Sequence, residues 1–243
     1  MATINIQPIS KRRLRNDGLL EVHSVFNTIQ GEGPFTGEQA VFIRLAGCNL
    51  QCPLCDTDYT SKSEDWHPSA LLAEVKSFNT PAKLVIITGG EPFRQDIEEL
   101  VLLLVGDGYR VQIETNGTLA PPSETFASLV QLDTTRDFGC FIVCSPKTGK
   151  VNAELQPLIS AYKYVAVDAE LSLADGLPFS ALDHTASPCL ARPHCGFHGR
   201  VYLQPCDEKD EIKNKKNLDA CVKSVMEFGH TLQLQVHKLI EME

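Results

Sequence analysis

The chain has 243 residues, enough for one domain with a substantial core, and its 43% hydrophobic and 22% charged residues are ordinary for a soluble globular protein. Its formal net charge of −9 and isoelectric point of about 5.3 argue against a broad nucleic-acid-binding surface, because such surfaces are usually basic. No apolar run is long enough to span a bilayer and the first ten residues have no signal-peptide core, so we expect a cytoplasmic protein.

Residues 1–18 form a basic N-terminal arm that includes the run Lys11-Arg12-Arg13-Leu14-Arg15, and we expect this arm to be solvated. After it, strand-type and helix-type stretches alternate. Strands are predicted at residues 20–29, 41–46, 83–88, 110–115, 140–145, 164–168, 201–204 and 232–237. Helices are predicted at residues 68–78, 95–105, 123–130, 152–162 and 217–228.

This alternation predicts right-handed βαβ units, a mostly parallel sheet and an α/β fold in the form of a partial, shortened (β/α)6 barrel. We expect a single domain over residues 1–243. In such a barrel, ligands bind at the carboxyl ends of the strands. Residues 175–199 are rich in Pro, His and Cys and do not fit the repeat, so they are predicted to form an irregular surface excursion or a lid.

Three of the nine cysteines follow the predicted strand 41–46 at the spacing C-x3-C-x2-C: Cys48, Cys52 and Cys55. Thiolates on one tight loop can hold three irons of a cubane, which leaves the fourth iron open to a small molecule. A structural zinc site would want a fourth protein ligand, and Asp56 is poorly placed to supply it. This spacing resembles the signature of the radical S-adenosylmethionine (SAM) superfamily, although Leu54 stands where an aromatic residue is common. The resemblance implies a [4Fe–4S] cluster and SAM.

Polar and glycine-rich segments end the other predicted strands, and considered alone each of them is a plain loop. Thr88-Gly89-Gly90-Glu91-Pro92 lies one unit after the cysteine loop and resembles the superfamily's site for the SAM amino group. The later segments are Glu114-Thr115-Asn116-Gly117, Ser145-Pro146-Lys147 and Gln204-Pro205-Cys206-Asp207.

A narrower resemblance rests on residues 26–37 with their Gln30-Gly31-Glu32-Gly33 core, on Cys55-Asp56-Thr57 and on Gln235-Val236-His237-Lys238. Together these segments resemble the 7-carboxy-7-deazaguanine synthase family over residues 20–238. The resemblance implies a lyase of queuosine and 7-deazapurine biosynthesis. Such an enzyme converts 6-carboxy-5,6,7,8-tetrahydropterin to 7-carboxy-7-deazaguanine by ring contraction with loss of ammonia. It further implies Mg²⁺, a homodimer and a reductase such as flavodoxin as electron donor.

Site residues follow from this resemblance position by position. It implies pterin contacts at Ile29, Gln30, Gly31, Glu32, Arg44, Thr88 and His237. It implies SAM contacts at Leu54, Cys55, Asp56, Gly90, Glu114, Ser145, Pro146, Lys147, Gln204, Pro205, Cys206 and Asp207. It assigns Cys48, Cys52 and Cys55 to the cluster and Thr57 to Mg²⁺, a hard cation that prefers oxygen ligands.

Two alternative functions share part of this pattern. A glycyl-radical-enzyme activase would also carry C-x3-C-x2-C, and a zinc or cluster module without turnover would also use clustered cysteines. The residues Cys189, Cys195 and His198 form a second, irregularly spaced set that we do not expect to bind metal. Cys140 and Cys144 are predicted to be core residues.

Overall fold

A nine-stranded sheet organises the computed structural model, which describes residues 4–123, 125–168, 171–182 and 189–242. Its strands are β1 (Leu20–Ile29), β2 (Gln39–Leu45), β3 (Glu64–Trp66), β4 (Leu84–Gly89), β5 (Arg110–Thr115), β6 (Gly139–Cys144), β7 (Ile159–Ala166), β8 (Arg200–Pro205) and β9 (Thr231–Leu232). Their order is β3-β1-β2-β4-β5-β6-β7-β8-β9. Only β1 pairs antiparallel, with β2 and β3, and the other described pairings are parallel. The predicted partial barrel with a mostly parallel sheet is confirmed.

The helices are α1 (Pro68–Ser77), α2 (Glu98–Gly106), α3 (Glu211–Phe228) and the single turn α4 (Val236–Leu239). Proline begins α1, where its missing N–H costs nothing. Asp210 caps α3 by accepting hydrogen bonds from the backbone N–H groups of Ile212 and Lys213, and Gly229 ends that helix in the left-handed conformation. None of the helices in these ranges is both long and apolar enough to cross a membrane.

Three predicted elements are wrong in type. The helix predicted at 152–162 is a 3₁₀ turn at Gln156–Leu158 followed by β7, because Pro157 lacks an N–H and β7 carries two tyrosines and two β-branched residues, which favour strands. The helix predicted at 123–130 is the 3₁₀ turn Thr125–Leu129. The strand predicted at 232–237 reaches only Leu232, and His237 lies on α4.

The sheet has two faces of different character because side chains alternate along each strand. The outer face packs its apolar side chains, such as Ile43 and Ile87, against the helices in the main core. The inner face is apolar at the amino ends of the strands, where Phe35, Ile86 and Phe141 pack together. Towards the carboxyl ends the inner face becomes polar, and this is where the candidate site lies.

Two segments are more firmly packed than the sequence predicted. The basic arm is largely exposed over residues 4–14, as predicted, but it is attached to the domain: its Ser10 N–H donates to the carbonyl of Cys48, and Arg15 forms an ion pair with Asp65. The 175–199 loop is irregular in its described parts, as predicted, yet Leu177 and Leu190 are buried in the main core. Residues 183–188 of that loop lie outside the described ranges.

Candidate active site

The cysteine loop leaves the carboxyl end of β2 and carries its three thiols inward. Cys48 and Cys52 are buried, and Cys55 is half-buried. The sulfur of Cys48 accepts hydrogen bonds from the Leu50 N–H at 3.5 Å and from Asn116 Nδ2 at 4.0 Å. Burial raises the pKa of Cys48 to about 12 and also raises the pKa of Cys52 and Cys55. Thiols in this environment ionise only when a cation compensates their charge, as bound iron does.

The glycine pair after β4 lets this turn pack directly on the cysteine loop. A Cβ on Gly90 would lie 2.0 Å from the carbonyl oxygen of Gly47, so no larger residue fits. The backbone N–H of Glu91 donates to the same oxygen at 3.1 Å. These contacts fix the position of Cys48, which follows Gly47 in the chain.

Glu91 ties this turn to the next strand end. Its buried carboxylate accepts hydrogen bonds from Thr115 Oγ1 at 2.7 Å, from the Asn116 N–H at 2.8 Å and from the Phe93 N–H at 3.1 Å. Burial raises the pKa of Glu91, and the hydrogen bonds from these neutral donors offset only part of that rise. The carboxylate therefore positions Asn116, whose amide reaches Cys48.

A buried charge network lies on the inner face across the barrel. Lys163 on β7 forms ion pairs with Glu32 and, at 2.9 Å, with Glu114 on β5. Gln204 and Gln235 donate to the other oxygen of Glu32 at 3.2 and 2.7 Å. Burial alone would raise the pKa of Glu32, but the charge of Lys163 outweighs it and lowers that pKa. Glu32 is therefore an ionised hydrogen-bond acceptor.

The predicted pterin segment and the C-terminal segment meet at this network. The His237 ring covers Gly31 so closely that a Cβ there would lie 1.9 Å from Nδ1. The Val236 N–H donates to the Gly31 carbonyl at 3.2 Å, and Gln233 donates to the same oxygen at 3.3 Å. Burial lowers the pKa of His237, which favours the neutral imidazole.

Other predicted residues lie around the same rim. Buried Lys147 donates to the Ser145 carbonyl at 2.9 Å, and its charge offsets part of the rise that burial causes in the pKa of Cys52. Arg44, paired in register with Thr88, lies with its guanidinium 5.0 Å from the centre of the Phe26 ring.

At the edge of this rim, one lysine of the C-terminal segment links two groups of predicted SAM residues. Lys238 contacts Asp56 at 3.0 Å and Asp207 at 3.1 Å. Leu54 donates its N–H to Leu182 at 3.2 Å, and buried Cys206 donates its N–H to the Ala166 carbonyl at 2.8 Å. Both sets of predicted SAM residues, 54–56 and 204–207, are thus anchored near α4.

Some residues of this site were missed from sequence. Lys163 is a lysine inside the apolar run of a buried strand, which is a signal for a paired internal charge. Arg94 is buried and contacts Glu21 and the Ala46 carbonyl, which supports the turn into the cysteine loop. Neither role follows from the local pattern alone, because the partners lie far away in the chain.

The residues present fit a cluster with a bound small molecule. Within the described ranges no three His, Cys, Asp or Glu side chains are arranged to hold one metal ion, and this includes Cys189, Cys195 and His198. A cubane instead takes each cysteine of the loop to a different iron. The buried Oε1 atom of Gln204 has no hydrogen-bond partner among the described residues, and a ligand with N–H or O–H groups would satisfy it.

Comparison with known proteins agrees with this geometry. Residues 42–137 match the family model of the radical SAM superfamily. The chain is 40% identical over 231 residues to 7-carboxy-7-deazaguanine synthase of Rhodospirillum rubrum, covering 91% of this chain and 92% of that protein. It is 38% identical to the Rickettsia prowazekii enzyme of the same name, covering 95% and 92%.

A solved structure described as QueE from Escherichia coli is similar in fold. It has a TM-score of 0.66 and 25% identity, and the match covers 89% of this chain and 94% of that one. These similarities do not favour the activase or the binding module as alternatives. With a polar rim around a cysteine loop and relatives matched over nearly their whole length, this chain belongs to the 7-carboxy-7-deazaguanine synthase family of radical SAM enzymes.

Proposed function

We propose that this protein converts 6-carboxy-5,6,7,8-tetrahydropterin to 7-carboxy-7-deazaguanine, with ring contraction and loss of ammonia. The observation that carries the proposal is the Glu32 network facing the rim that carries the cysteine loop, in a chain 40% identical to a named synthase. The ionised carboxylate of Glu32 on the inner face suits a pterin, whose amino and ring N–H groups are hydrogen-bond donors.

The polar groups of the inner face would recognise the substrate. Glu32 would accept from the pterin N–H groups, and the ion pair with Lys163 keeps it ionised for this role. Neutral His237, Thr88 and the backbone of residues 29–31 would add hydrogen bonds. Arg44 offers a planar pair of donors that suits the substrate carboxylate.

The cysteine loop would hold the cofactors. Cys48, Cys52 and Cys55 would ligate a [4Fe–4S] cluster, and residues 54–56, Gly90, Glu114, 145–147 and 204–207 would surround SAM. When bound, the cluster and SAM supply the radical that removes a hydrogen atom from the substrate. Lys147 would hold an anionic group near the cysteines, because it is buried and forms no ion pair with a carboxylate among the described residues. The inner face would exclude water from the reacting centre.

Thr57 would give one oxygen to Mg²⁺, with water and substrate oxygens completing the shell. We further infer that the protein is a cytoplasmic homodimer and receives electrons from a small reductase such as flavodoxin.

Anaerobic turnover tests the proposal. The reconstituted protein is mixed with SAM, a reductant, Mg²⁺ and 6-carboxytetrahydropterin, and the products are analysed by mass spectrometry. We expect a product lighter than the substrate by one ammonia. Changing Cys48, Cys52 and Cys55 to alanine should abolish it.

Cys195→Ala is the matched control, because Cys195 is an exposed cysteine away from the loop. It should leave turnover unchanged. Cleavage of SAM without any change in the pterin would overturn the substrate assignment while leaving the radical chemistry in place.

A further inference from the structure

The N-terminal arm, residues 4–10, has an inverted pattern of burial. Its isoleucines face outward: Ile4, Ile6 and Ile9 are 67%, 86% and 63% exposed. Its polar residues Asn5, Gln7 and Ser10 face the protein instead. Apolar burial therefore does not hold this segment in place, and hydrogen bonds must do so.

Apart from two bonds from Gln7 to the Asn5 side chain, the described hydrogen bonds of residues 4–10 go to the cysteine loop, residues 46–63. The Ser10 N–H donates to the Cys48 carbonyl at 2.7 Å, next to an isolated β-bridge between Ile9 and Cys48. Asn5 donates from its backbone to Pro53 at 2.9 Å and from Nδ2 to the Cys52 carbonyl at 3.1 Å.

Gln7 holds the segment after the third cysteine in the way a neighbouring strand would. Its Nε2 donates to the Thr57 carbonyl at 2.9 Å, while its Oε1 accepts from the Tyr59 N–H at 2.8 Å. The same Oε1 also accepts from Thr60 Oγ1 at 3.0 Å. The side-chain amide thus satisfies the backbone groups on both sides of Asp58. The Gln7 carbonyl is bonded in turn by Gln51 at 2.6 Å.

The cysteine loop needs such support because it has little of its own. Between β2 and β3, residues 46–63 contain no helix or strand, and all of them are described. Few internal backbone hydrogen bonds hold this segment, among them Cys55 N–H to Cys52 and Gly47 N–H to Tyr59. Segments of this kind open easily unless other parts of the chain supply partners.

We propose that residues 5–10 are a strap whose polar side chains are positioning residues for the cluster: they hold the three cysteines in their binding arrangement before iron arrives. This inference rests on the proposed function for the identity of the bound group. The strap itself acts on the empty loop, so its effect can be measured without the cluster.

Hydrogen exchange of the full-length apoprotein tests the strap directly. The amides to follow are Gly47, Leu54 and Cys55, because their acceptors are Tyr59, Leu182 and Cys52 and not Gln7. In Gln7→Ala we expect these amides to exchange about tenfold faster, the effect of losing about two net hydrogen bonds. Gln7→Glu keeps the acceptor but sets a carboxylate oxygen against the Thr57 carbonyl, so its effect should be at least as large as that of Gln7→Ala.

Ser10→Pro is a second variant that removes the N–H group bonded to Cys48 and also fixes the backbone angle φ of residue 10. It should speed exchange at Gly47 more than at Cys55, since Ser10 bonds Cys48. Gln39→Ala is the matched control: Gln39 is an exposed glutamine on β2 with one side-chain bond to Asn27. It should leave all three amides unchanged, and thermal unfolding checks that each variant is folded.

Iron per chain and the rate at which air bleaches the reconstituted protein give a second measurement. We expect three- to tenfold faster bleaching in Gln7→Ala, again relative to Gln39→Ala. If the wild type takes up no iron, the proposed function fails while the exchange result still stands. If the wild type holds a cluster but the three amides and the bleaching rate are unchanged in Gln7→Ala and Ser10→Pro, the strap is overturned and the function survives.

Discussion

Replacing Lys163 with methionine tests whether the inner-face charge network is held together by its central cation. The ammonium lies between two carboxylates and is 7% exposed. Removing one partner of a buried ion pair typically costs about 3–5 kcal/mol, because an uncompensated charge is left behind. After the change Glu32 keeps two amide donors, and Glu114 keeps the amide of Gln112 at 2.6 Å. We therefore expect the lower end of that range, about 3 kcal/mol.

Denaturant unfolding of the apoprotein measures this loss, with Lys150→Met as the control. Lys150 is exposed, and its replacement should change the free energy of unfolding by less than about 0.5 kcal/mol. In the triple variant Glu32→Gln, Glu114→Gln, Lys163→Met most of the loss should be recovered, since no charge is then left unpaired.

The stability loss in Lys163→Met should depend on pH, and the pKa of Glu32 determines the direction. In the wild type Lys163 lowers the pKa of Glu32. The contribution of Glu32 to stability is therefore fully present above the ordinary pKa of a glutamate. It is lost as the pH falls through the lower pKa of the folded state. Without Lys163, burial raises the pKa of Glu32, so the folded state is favoured at low pH and loses stability as the pH rises. The difference between Lys163→Met and wild type should therefore shrink from about pH 8 to about pH 5. A loss under about 1 kcal/mol that does not vary with pH would refute the reasoning.

Three further predictions concern the neighbourhood of the cysteine loop. Gly90→Ala should lower the free energy of unfolding by more than about 2 kcal/mol and reduce iron uptake, because its Cβ would overlap a backbone oxygen; Gly106→Ala, where the Cβ meets nothing, should be neutral or stabilising. Glu91→Gln should cost about 1–3 kcal/mol in thermal or denaturant unfolding, since one donor to that carboxylate is left unpaired; a change under about 0.5 kcal/mol would contradict this. In brief labelling of the apoprotein with a thiol reagent, peptide mapping should find exposed Cys189 and Cys195 modified first and buried Cys140 last, because burial raises the pKa of its thiol.

How far the sequence predicts this molecule depends on whether the relevant contacts are local. The strand before Cys48 and the glycine turn after β4 were predicted correctly, because a short apolar run followed by a turn is a local pattern. The helix expected at 152–162 failed on a local signal that was overlooked, the proline at position 157.

The charge network and the strap could not be predicted in the same way. Glu32 and Lys163 are 131 residues apart in the chain, and only the strand order β5-β6-β7 brings Lys163 near Glu114. The arm was expected to be solvated because its charges are conspicuous in sequence. Residues 4–10 of the arm are attached largely by uncharged Asn5 and Gln7, whose partners include backbone atoms 47 and 50 residues away.

Lys147 and Lys163 are both buried lysines of the inner rim, but replacing them should affect stability differently because their surroundings differ. Lys163 is compensated by two carboxylates, so it belongs to the folded framework. The hydrogen bonds of Lys147 within the described residues go to Ser145 alone, and burial lowers its pKa. A buried cation without an ion-pair partner opposes folding, so Lys147→Met should leave the free energy of unfolding unchanged or raise it in the same assay. The same variant should weaken binding of SAM, measured by calorimetry on the reconstituted protein, because the SAM carboxylate would lose a cationic partner. A loss of stability comparable to that of Lys163→Met would show instead that Lys147 is a structural residue.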